Sequence, residues 1–210
     1  MRLSQKMVCT AAGIAALVAW TPVRMWAQEF DIDTTAHRLV RFTSSTQVNT
    51  FDGVTNRIDG FVVAGDSALV AGGKPRGSQV YFEVDLGSLD TGIDLRNRHM
   101  RSDYLQVTKF PYAKFKGVLA SVERGQGDSL RVMARGTMSI HGVDREVQLP
   151  CEVASTGAGY GTHCAFQVLL SDYNIAIPKL MFLKLSDQIR LDLTFSLAPA
   201  ATGGAHGGAP

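Results

Sequence analysis

The chain has 210 residues, of which 45% are hydrophobic and 19% charged, and its formal net charge at pH 7 is +2. This length and composition are typical of a folded globular protein and exclude a disordered or fibrous one. After residue 27 the chain has 18 basic and 19 acidic residues, so its net charge there is close to zero. This excludes a general electrostatic basis for binding nucleic acid or an anionic membrane surface.

Residues 1–27 have the layout of a secretory signal peptide. Arg2 and Lys6 precede an apolar run over residues 7–20, and Ala27 is the predicted last residue before cleavage. The alternative is a retained membrane anchor, but the run is shorter than the roughly 18 to 20 residues that cross a bilayer. We therefore predict export, with no stable membrane span after the signal is removed.

Most of the remaining sequence is typical of β-strands. Apolar and polar residues alternate with a period of two, which indicates strands with one buried face. The predicted strands are residues 37–44, 56–64, 79–86, 113–123, 130–140, 143–153, 160–170 and 189–197. Phe51-Asp52-Gly53 and His141-Gly142 are predicted to form turns, since glycine tolerates the positive φ that hairpin turns need. Eight strands with mainly short connections favour antiparallel pairing.

A short helix is predicted between the third and fourth of these strands. Asp94 can cap a helix from Leu95 to about Leu105, because its carboxylate can accept hydrogen bonds from first-turn amides. Few apolar residues anchor this helix, and basic-type side chains crowd it: Arg96, Arg98, His99 and Arg101.

Residues 171–187 form an unusually long and apolar connection. Hairpin loops usually have two to five residues, and this 17-residue segment contains seven large apolar side chains. It must pack against another part of the protein, and the open mouth of a barrel is the obvious place. The tail, residues 198–210, is rich in Ala, Gly and Pro and is predicted to be disordered.

The alternation also brings two cysteines together. Cys151 and Cys164 remain after signal removal, and an even count in an exported protein favours a disulfide. If residues 143–153 and 160–170 pair as a hairpin, Cys151 lies opposite Cys164, Leu149 opposite Phe166, and Val147 opposite Val168. Directly opposed cysteines of a narrow antiparallel pair can be bridged. The alternative is two separate buried thiols.

Three segments carry a resemblance to a known family. They are SLDTG with R-x-x-H-M-R-S-D-Y-L and K-F-P-Y-A-K-F between residues 88 and 115, GTMSIHGVDREV at 136–147, and LSDYNI at 170–175. With these motifs in this order, the sequence resembles the YceI-like family of periplasmic lipid-binding (polyisoprenoid-binding) bacterial proteins over roughly residues 30–197. The resemblance implies an all-β fold, an eight-stranded antiparallel lipocalin-like barrel with a short helix and an apolar lid loop. The barrel domain would span residues 28–197.

Motifs for catalysis or metal binding are missing. The sequence has no glycine-rich phosphate loop, no paired-histidine zinc spacing and no G-x-S-x-G elbow. We therefore predict no catalytic residue, metal or cofactor. The histidines after the signal are scattered (His37, His99, His141, His163 and His206). The alternative is an enzyme acting on a lipid, with His99 or His141 as its base.

Polar residues near the helix and the long connection have two interpretations each. Arg98, His99 and Arg101 either bind a polar or anionic lipid headgroup or tie the helix to the barrel rim through aspartates at positions 90, 94 and 103. Asp172 and Tyr173 either contact a ligand or stabilise their turn.

The apolar interior is the better candidate for function. A hydrocarbon chain gains about 0.8 kcal/mol per buried CH₂ before ordering costs, so it needs no charged anchor. The predicted lining residues are Val84, Phe110, Phe115, Met138, Phe166, Val168, Leu191, Leu193 and Phe195, with Met181 and Phe182 from the long connection. The alternative is that these side chains fill a packed core in a structural or interaction module. The resemblance favours binding of an isoprenoid, quinone-like or other amphiphilic lipid, with homodimer formation left open.

Overall fold

The computed structural model describes residues 28–65, 69–73, 75–157, 159–180 and 183–200. The predicted signal peptide and most of the predicted tail lie outside these residues. The strands are β1 (Glu29–Ile32), β2 (Leu39–Ser45), β3 (Thr50–Thr55), β4 (Ile58–Val63), β5 (Gln79–Asp85), β6 (Tyr112–Arg124), β7 (Leu130–Ile140), β8 (Val143–Ser155), β9 (Tyr160–Leu169), β10 (Lys179–Leu180), β11 (Leu183–Lys184) and β12 (Gln188–Pro199).

Eight antiparallel strand positions close into a barrel, as predicted. The sheet order is β1-β4-β5-β6-β7-β8-β9-β12, and β1 pairs again with β12 to complete the ring. β2 follows β1 along the same edge of β12, and β3 pairs with β2. Thus β1 with β2, and β3 with β4, act as two long bent strands. The β1–β12 pairing therefore joins the first and last strands of the chain.

The turn predicted at Phe51-Asp52-Gly53 is wrong, because these residues lie within β3. The turn lies earlier, where the Thr46 amide donates to the Asn49 carbonyl over 2.7 Å. Gly53 faces inward beneath Phe42, and a Cβ at this position would overlap the Phe42 ring. The glycine therefore makes room for an aromatic side chain rather than a chain reversal.

The helix occupies the predicted place but lacks the predicted cap. α1 (Asp94–His99) continues into a π-helical turn over Met100–Tyr104. Ile93, not Asp94, is the capping residue and makes no side-chain cap hydrogen bond. The segment is held instead by its neighbours: the Val54 amide donates to the Asp90 carbonyl over 2.8 Å, and the Asp90 amide returns a bond of 2.9 Å.

Two glycines shape the wall between β6 and β7. Gly117 and Gly136 are direct register partners, and a Cβ on either would collide with the backbone of the other strand. Glycine at both positions therefore allows the two strands to approach closely.

One end of the barrel is filled by its own side chains. Inward-facing residues of β1, β4, β5, β6, β7, β8 and β12 are buried there (Phe30, Ile32, Val62, Val80, Val122, Val132, Val153, Phe195 and Leu197). Phe30 packs edge-on against Tyr160 with ring centroids 5.1 Å apart. We call this the closed end. β12 reaches it and runs to Pro199, two residues beyond the predicted end of the domain.

Candidate functional site

The opposite end of the barrel, which we call the mouth, carries both unusual connections. β5, β7 and β9 end there, and β6, β8 and β12 begin there, as the strand registers require. The helix follows β5, and the long apolar connection follows β9. We call residues 171–187 the lid loop.

The wall of the barrel splits at the mouth between β8 and β9. The two strands pair from Ser155–Tyr160 to Cys151–Cys164, and the ladder ends there. Val143–Pro150 then pairs only with β7, and Ala165–Leu169 only with β12. The predicted pairs of Leu149 with Phe166 and of Val147 with Val168 do not form. We call this gap the seam.

A disulfide closes the inner end of the seam. Cys151 and Cys164 are bonded and are register partners, as predicted. Their Cα atoms are 4.1 Å apart, the short spacing of a pair without mutual hydrogen bonds. In an antiparallel ladder the next residue of β8, Pro150, should then donate its N–H toward β9. Proline has no N–H to donate, which explains why the ladder stops here.

The lid loop fills part of the mouth. Tyr173 and Ile175 are 2% and 5% exposed and belong to the core cluster. Burial raises the pKa of the Tyr173 hydroxyl above its ordinary value of 10.0. The prediction that this apolar connection packs against the barrel is therefore confirmed for these two side chains.

Two side chains from β8 and its preceding turn hold the lid loop across the seam. Arg145 Nε donates to the Asp172 carbonyl over 2.8 Å. His141 Nδ1 lies 3.2 Å from the Tyr173 carbonyl, and because a carbonyl only accepts, Nδ1 carries the proton. The other ring nitrogen, Nε2, is buried and has no partner among the described residues. In this contact His141 acts as a structural hydrogen-bonding residue.

Sequence reasoning missed Arg145. It lies on the inward-facing parity of β8, between Val143 and Val147, and is exposed at the seam. Its outward neighbours Asp144 and Glu146 accept hydrogen bonds from hydroxyls on β7. A single charged residue in an apolar row was the signal that could have identified it.

The predicted apolar lining residues that the structure describes fall into three groups. Phe115, Met138 and Phe195 are buried. Val84, Phe166, Val168, Leu191 and Leu193 face inward yet are only half-buried, as are the unpredicted Phe82 and Val147. Phe110 lies outside the barrel wall and packs on the His141 ring with centroids 4.7 Å apart. Met181 and Phe182 lie outside the described residues.

The half-buried group shows where the interior of the barrel is accessible. A side chain that faces the interior of a closed barrel keeps exposed surface only if accessible space reaches it from the mouth or the seam. Val84 lies on β5, whereas Phe166 lies on β9 beside the seam and has Leu191 as its register partner on β12. Accessible apolar surface therefore extends into the mouth half of the barrel, while the closed end is packed.

The predicted basic residues lie on the helix, away from that surface. Arg101 is tied to the chain before α1, with Nη2 donating to the Leu89 carbonyl over 2.6 Å. His99 Nδ1 lies 2.7 Å from Asp103 Oδ2 on the next turn, and hydrogen bonds from Ser102 and His99 hold the pKa of Asp103 below 3.8. Arg98 is exposed and, with Arg101, lines an open polar cleft. His99 and Arg101 thus make contacts of the kind expected if they fix the helix, although Arg101 binds a carbonyl rather than an aspartate. Headgroup binding by Arg98, His99 and Arg101 stays a prediction.

The end of the lid loop is anchored by Asp187, which makes the anchor dependent on pH. Hydrogen bonds from the Ser171 hydroxyl (2.6 Å) and amide (2.8 Å) hold the pKa of Asp187 below its ordinary value of 3.8. A carboxylate whose pKa is lower in the folded state than in the unfolded state stabilises the fold. This stabilisation is complete at pH values above the unfolded-state pKa, and it is lost as the pH falls through the folded-state pKa.

We therefore expect Asp187→Asn to reduce stability at pH 7 and to match the wild type below the folded-state pKa of Asp187. Urea unfolding from pH 7 to about pH 2 checks this, given an ordinary carboxyl pKa of roughly 4. Asp128→Asn, on an exposed turn at the closed end, is the control. A difference between Asp187→Asn and wild type that persists at the lowest pH would contradict the expectation.

The described residues contain neither a membrane-spanning helix nor a cluster of metal ligands. No helix in this part of the chain is long and apolar enough to cross a membrane. Nor do any three histidine, cysteine, aspartate or glutamate side chains there form a group that could hold a metal ion.

Comparison with known proteins gives consistent matches. A family model described as YceI-like domain matches residues 30–197. A protein of Shewanella denitrificans named UPF0312 protein is 31% identical over 139 residues, which cover 65% of this chain and 68% of that protein.

Two solved structures share the fold. BcnA of Burkholderia cenocepacia superposes with a TM-score of 0.64 at 18% identity, covering 79% of this chain and 99% of that one. A domain of Saccharophagus degradans, described as polyisoprenoid binding and implicated in plant cell wall breakdown, gives a TM-score of 0.62 at 17% identity and covers 83% and 99%.

Proposed function

The chain belongs to the YceI-like domain family, and from this premise we propose that it is an exported, non-enzymatic binding protein for an amphiphilic lipid. The hydrocarbon chain, isoprenoid or similar, lies in the mouth half of the barrel. The observation that carries the proposal is the set of inward-facing, half-buried apolar side chains around the mouth and the seam. The polyisoprenoid binding ascribed to the Saccharophagus degradans domain supports the ligand class.

The hydrophobic effect provides the affinity in this proposal. Each methylene transferred from water contributes about 0.8 kcal/mol before ordering costs. The chain contacts Val84, Phe166, Val168, Leu191 and Leu193, with Met181 and Phe182 contributing from the lid loop. Phe115, Met138 and Phe195 form the floor beneath it. The headgroup stays at the mouth, near Arg145 and the lid loop.

Export is part of the same proposal. The Cys151–Cys164 disulfide suits an oxidising compartment, and residues 1–27 have the composition of a signal peptide. A bacterial periplasm satisfies both.

The alternative to a binding protein is an enzyme that acts on a lipid. His99 is exposed and paired with Asp103, and His141 is occupied by the Tyr173 carbonyl. A base at either position predicts turnover of a lipid that His→Ala abolishes. A binding protein instead keeps lipid uptake in both variants with only a modest loss.

Native mass spectrometry of the protein purified from its own host tests the proposal, with a co-purified lipid as the expected result. Binding of a fluorescent acyl chain is then measured for Val168→Trp, which fills the mouth half. Val118→Trp, outward-facing and half-exposed on β6, is the matched control. We expect Val168→Trp to weaken binding at least tenfold and Val118→Trp to leave it unchanged. Repeated recovery of lipid-free protein that also fails to take up the chain would overturn the proposal.

A further inference from the structure

Exposed apolar side chains are concentrated at the mouth. Among the described residues, four large apolar side chains are more than half exposed: Val48 at 75%, Leu95 at 55%, and Ile93 and Val70 at 52%. Val48 lies in the β2–β3 turn, and Ile93 and Leu95 lie at the start of α1. Val70 lies in the β4–β5 connection at the closed end. Three of the four therefore lie on one end of the molecule.

Contacts between the mouth segments hold these side chains in one surface. The Arg96 guanidinium lies 4.2 Å from the centroid of the Phe51 ring, which joins α1 to β3. The Ser186 amide donates to the Ser45 carbonyl over 2.7 Å, which joins the lid loop to β2. The β2–β3 turn is thus tied to the lid loop and, through β3, to the helix.

Cations border this apolar surface. Lys179 and Lys184 are direct partners in the β10–β11 hairpin of the lid loop, and both are exposed. Like charges placed opposite each other repel, so the pair favours a bound anion. Arg98 lies three residues after Leu95, on the same face of α1. We call Val48, Ile93, Leu95, Arg98, Lys179 and Lys184 the rim patch.

Most acidic side chains at this end are held by hydrogen bonds within the chain. Asp90 accepts from the Gly92 amide and from Asn97 Nδ2, Asp103 from Ser102, and Asp187 from Ser171. Asp94 and Asp172 are exposed. The mouth therefore carries both signs of charge, with Lys184 close enough to Asp187 to lower the pKa of that carboxyl. The lysine pair and Arg98 are the cations that we place beside the exposed apolar side chains.

We infer that the rim patch docks the mouth onto a lipid bilayer that contains anionic phospholipid. Apolar tips that enter the interface, flanked by lysine and arginine at headgroup level, are the arrangement of peripheral membrane contacts. The inference rests on the proposed function, because a water-insoluble chain has to be collected from a membrane and the patch surrounds the entrance it would use.

Vesicle co-sedimentation tests the inference with the protein as a bacterial host exports it, its N-terminus determined by mass spectrometry. The probes are vesicles of phosphatidylcholine and of phosphatidylcholine mixed with phosphatidylglycerol. We expect the triple variant Val48→Ser, Ile93→Ser and Leu95→Ser to partition at least about tenfold more weakly than wild type. Val70→Ser, equally exposed at the closed end, should partition like wild type. Thermal unfolding confirms that each variant is folded.

The lysine pair gives a second arm. Lys179→Gln with Lys184→Gln should weaken binding to the mixed vesicles about tenfold and leave binding to phosphatidylcholine unchanged. Wild-type protein that stays in solution with both vesicles would overturn the inference, as would a triple variant that partitions like Val70→Ser. If the rim patch binds a protein partner instead of a membrane, one of these two results is expected.

Chain binding in vesicle-free buffer separates this inference from the proposed function. A protein that takes up the fluorescent acyl chain but ignores vesicles contradicts the docking inference alone. A protein that binds vesicles through the rim patch but takes up no chain contradicts the proposed function alone.

Discussion

Replacing both Cys151 and Cys164 with alanine is expected to lower the free energy of unfolding by about 3 kcal/mol. The bridge closes a loop across a sequence separation of 13, and a loop of that size restricts the unfolded chain by about this amount. It also marks the point where the β8–β9 ladder ends, so its loss should let the seam lengthen toward the closed end. Urea unfolding measures the first effect, and faster amide exchange between Cys151 and Ser155 measures the second.

The matched control for the cysteine variant is a reductant. Dithiothreitol should bring the wild type to the stability of the double variant and leave the double variant unchanged. A wild type whose stability and seam exchange do not respond to reduction would show that the bridge does not hold the seam.

Phe195→Ala should be the most destabilising single substitution in the barrel, with a loss of about 3 to 5 kcal/mol. Phe195 is 1% exposed and packs on Phe82 with ring centroids 5.1 Å apart. Phe166→Ala should cost less than half as much, because the Phe166 ring is only half-buried at the mouth. Chemical denaturation of both variants gives the comparison.

The same pair should separate stability from binding. Phe166→Ala is expected to weaken acyl-chain binding clearly although it lowers the free energy of unfolding only a little. The reason is that the Phe166 ring borders the accessible part of the interior. Equal losses of stability in the two variants would indicate that the mouth half is as tightly packed as the closed end.

Strand alternation, together with the even cysteine count of an exported chain, predicted the disulfide. Cys151 and Cys164 fall on the inward parity of neighbouring strands, and their spacing allows them to be register partners. The same reasoning failed immediately beyond them, because it treated the hairpin as continuous. Pro150 faces outward and leaves the alternation of apolar and polar residues intact. It ends the β8–β9 ladder because the N–H that it lacks would have pointed toward β9. Periodicity does not contain that information.

Local composition was misleading where packing decides the conformation. Phe51-Asp52-Gly53 has the composition of a turn, yet Gly53 lies in a strand because the Phe42 ring occupies the space above it. Asp52 accepts a hydrogen bond from Thr43 across the ladder. Both partners come from another strand, so the local sequence could not reveal them.

The candidate site was predictable only in part. The apolar residues of β9 and β12 were identified because alternation shows which side chains face inward. Alternation does not show how deep each side chain lies. Phe195 and Phe166 were therefore placed in one set, although Phe195 is fully buried and Phe166 is half-buried. The depth follows from barrel closure and from the insertion of Tyr173 and Ile175 at the mouth.

The affinity for a series of linear alcohols of increasing chain length tests the central claim most directly. If the mouth half of the barrel holds a hydrocarbon chain, affinity should rise about fourfold per added methylene, from about 0.8 kcal/mol each, and then level off where the chain meets the floor at Phe115 and Phe195. Saturation should occur at one chain per protein. An affinity that does not depend on chain length, or no binding at any length, would contradict the account.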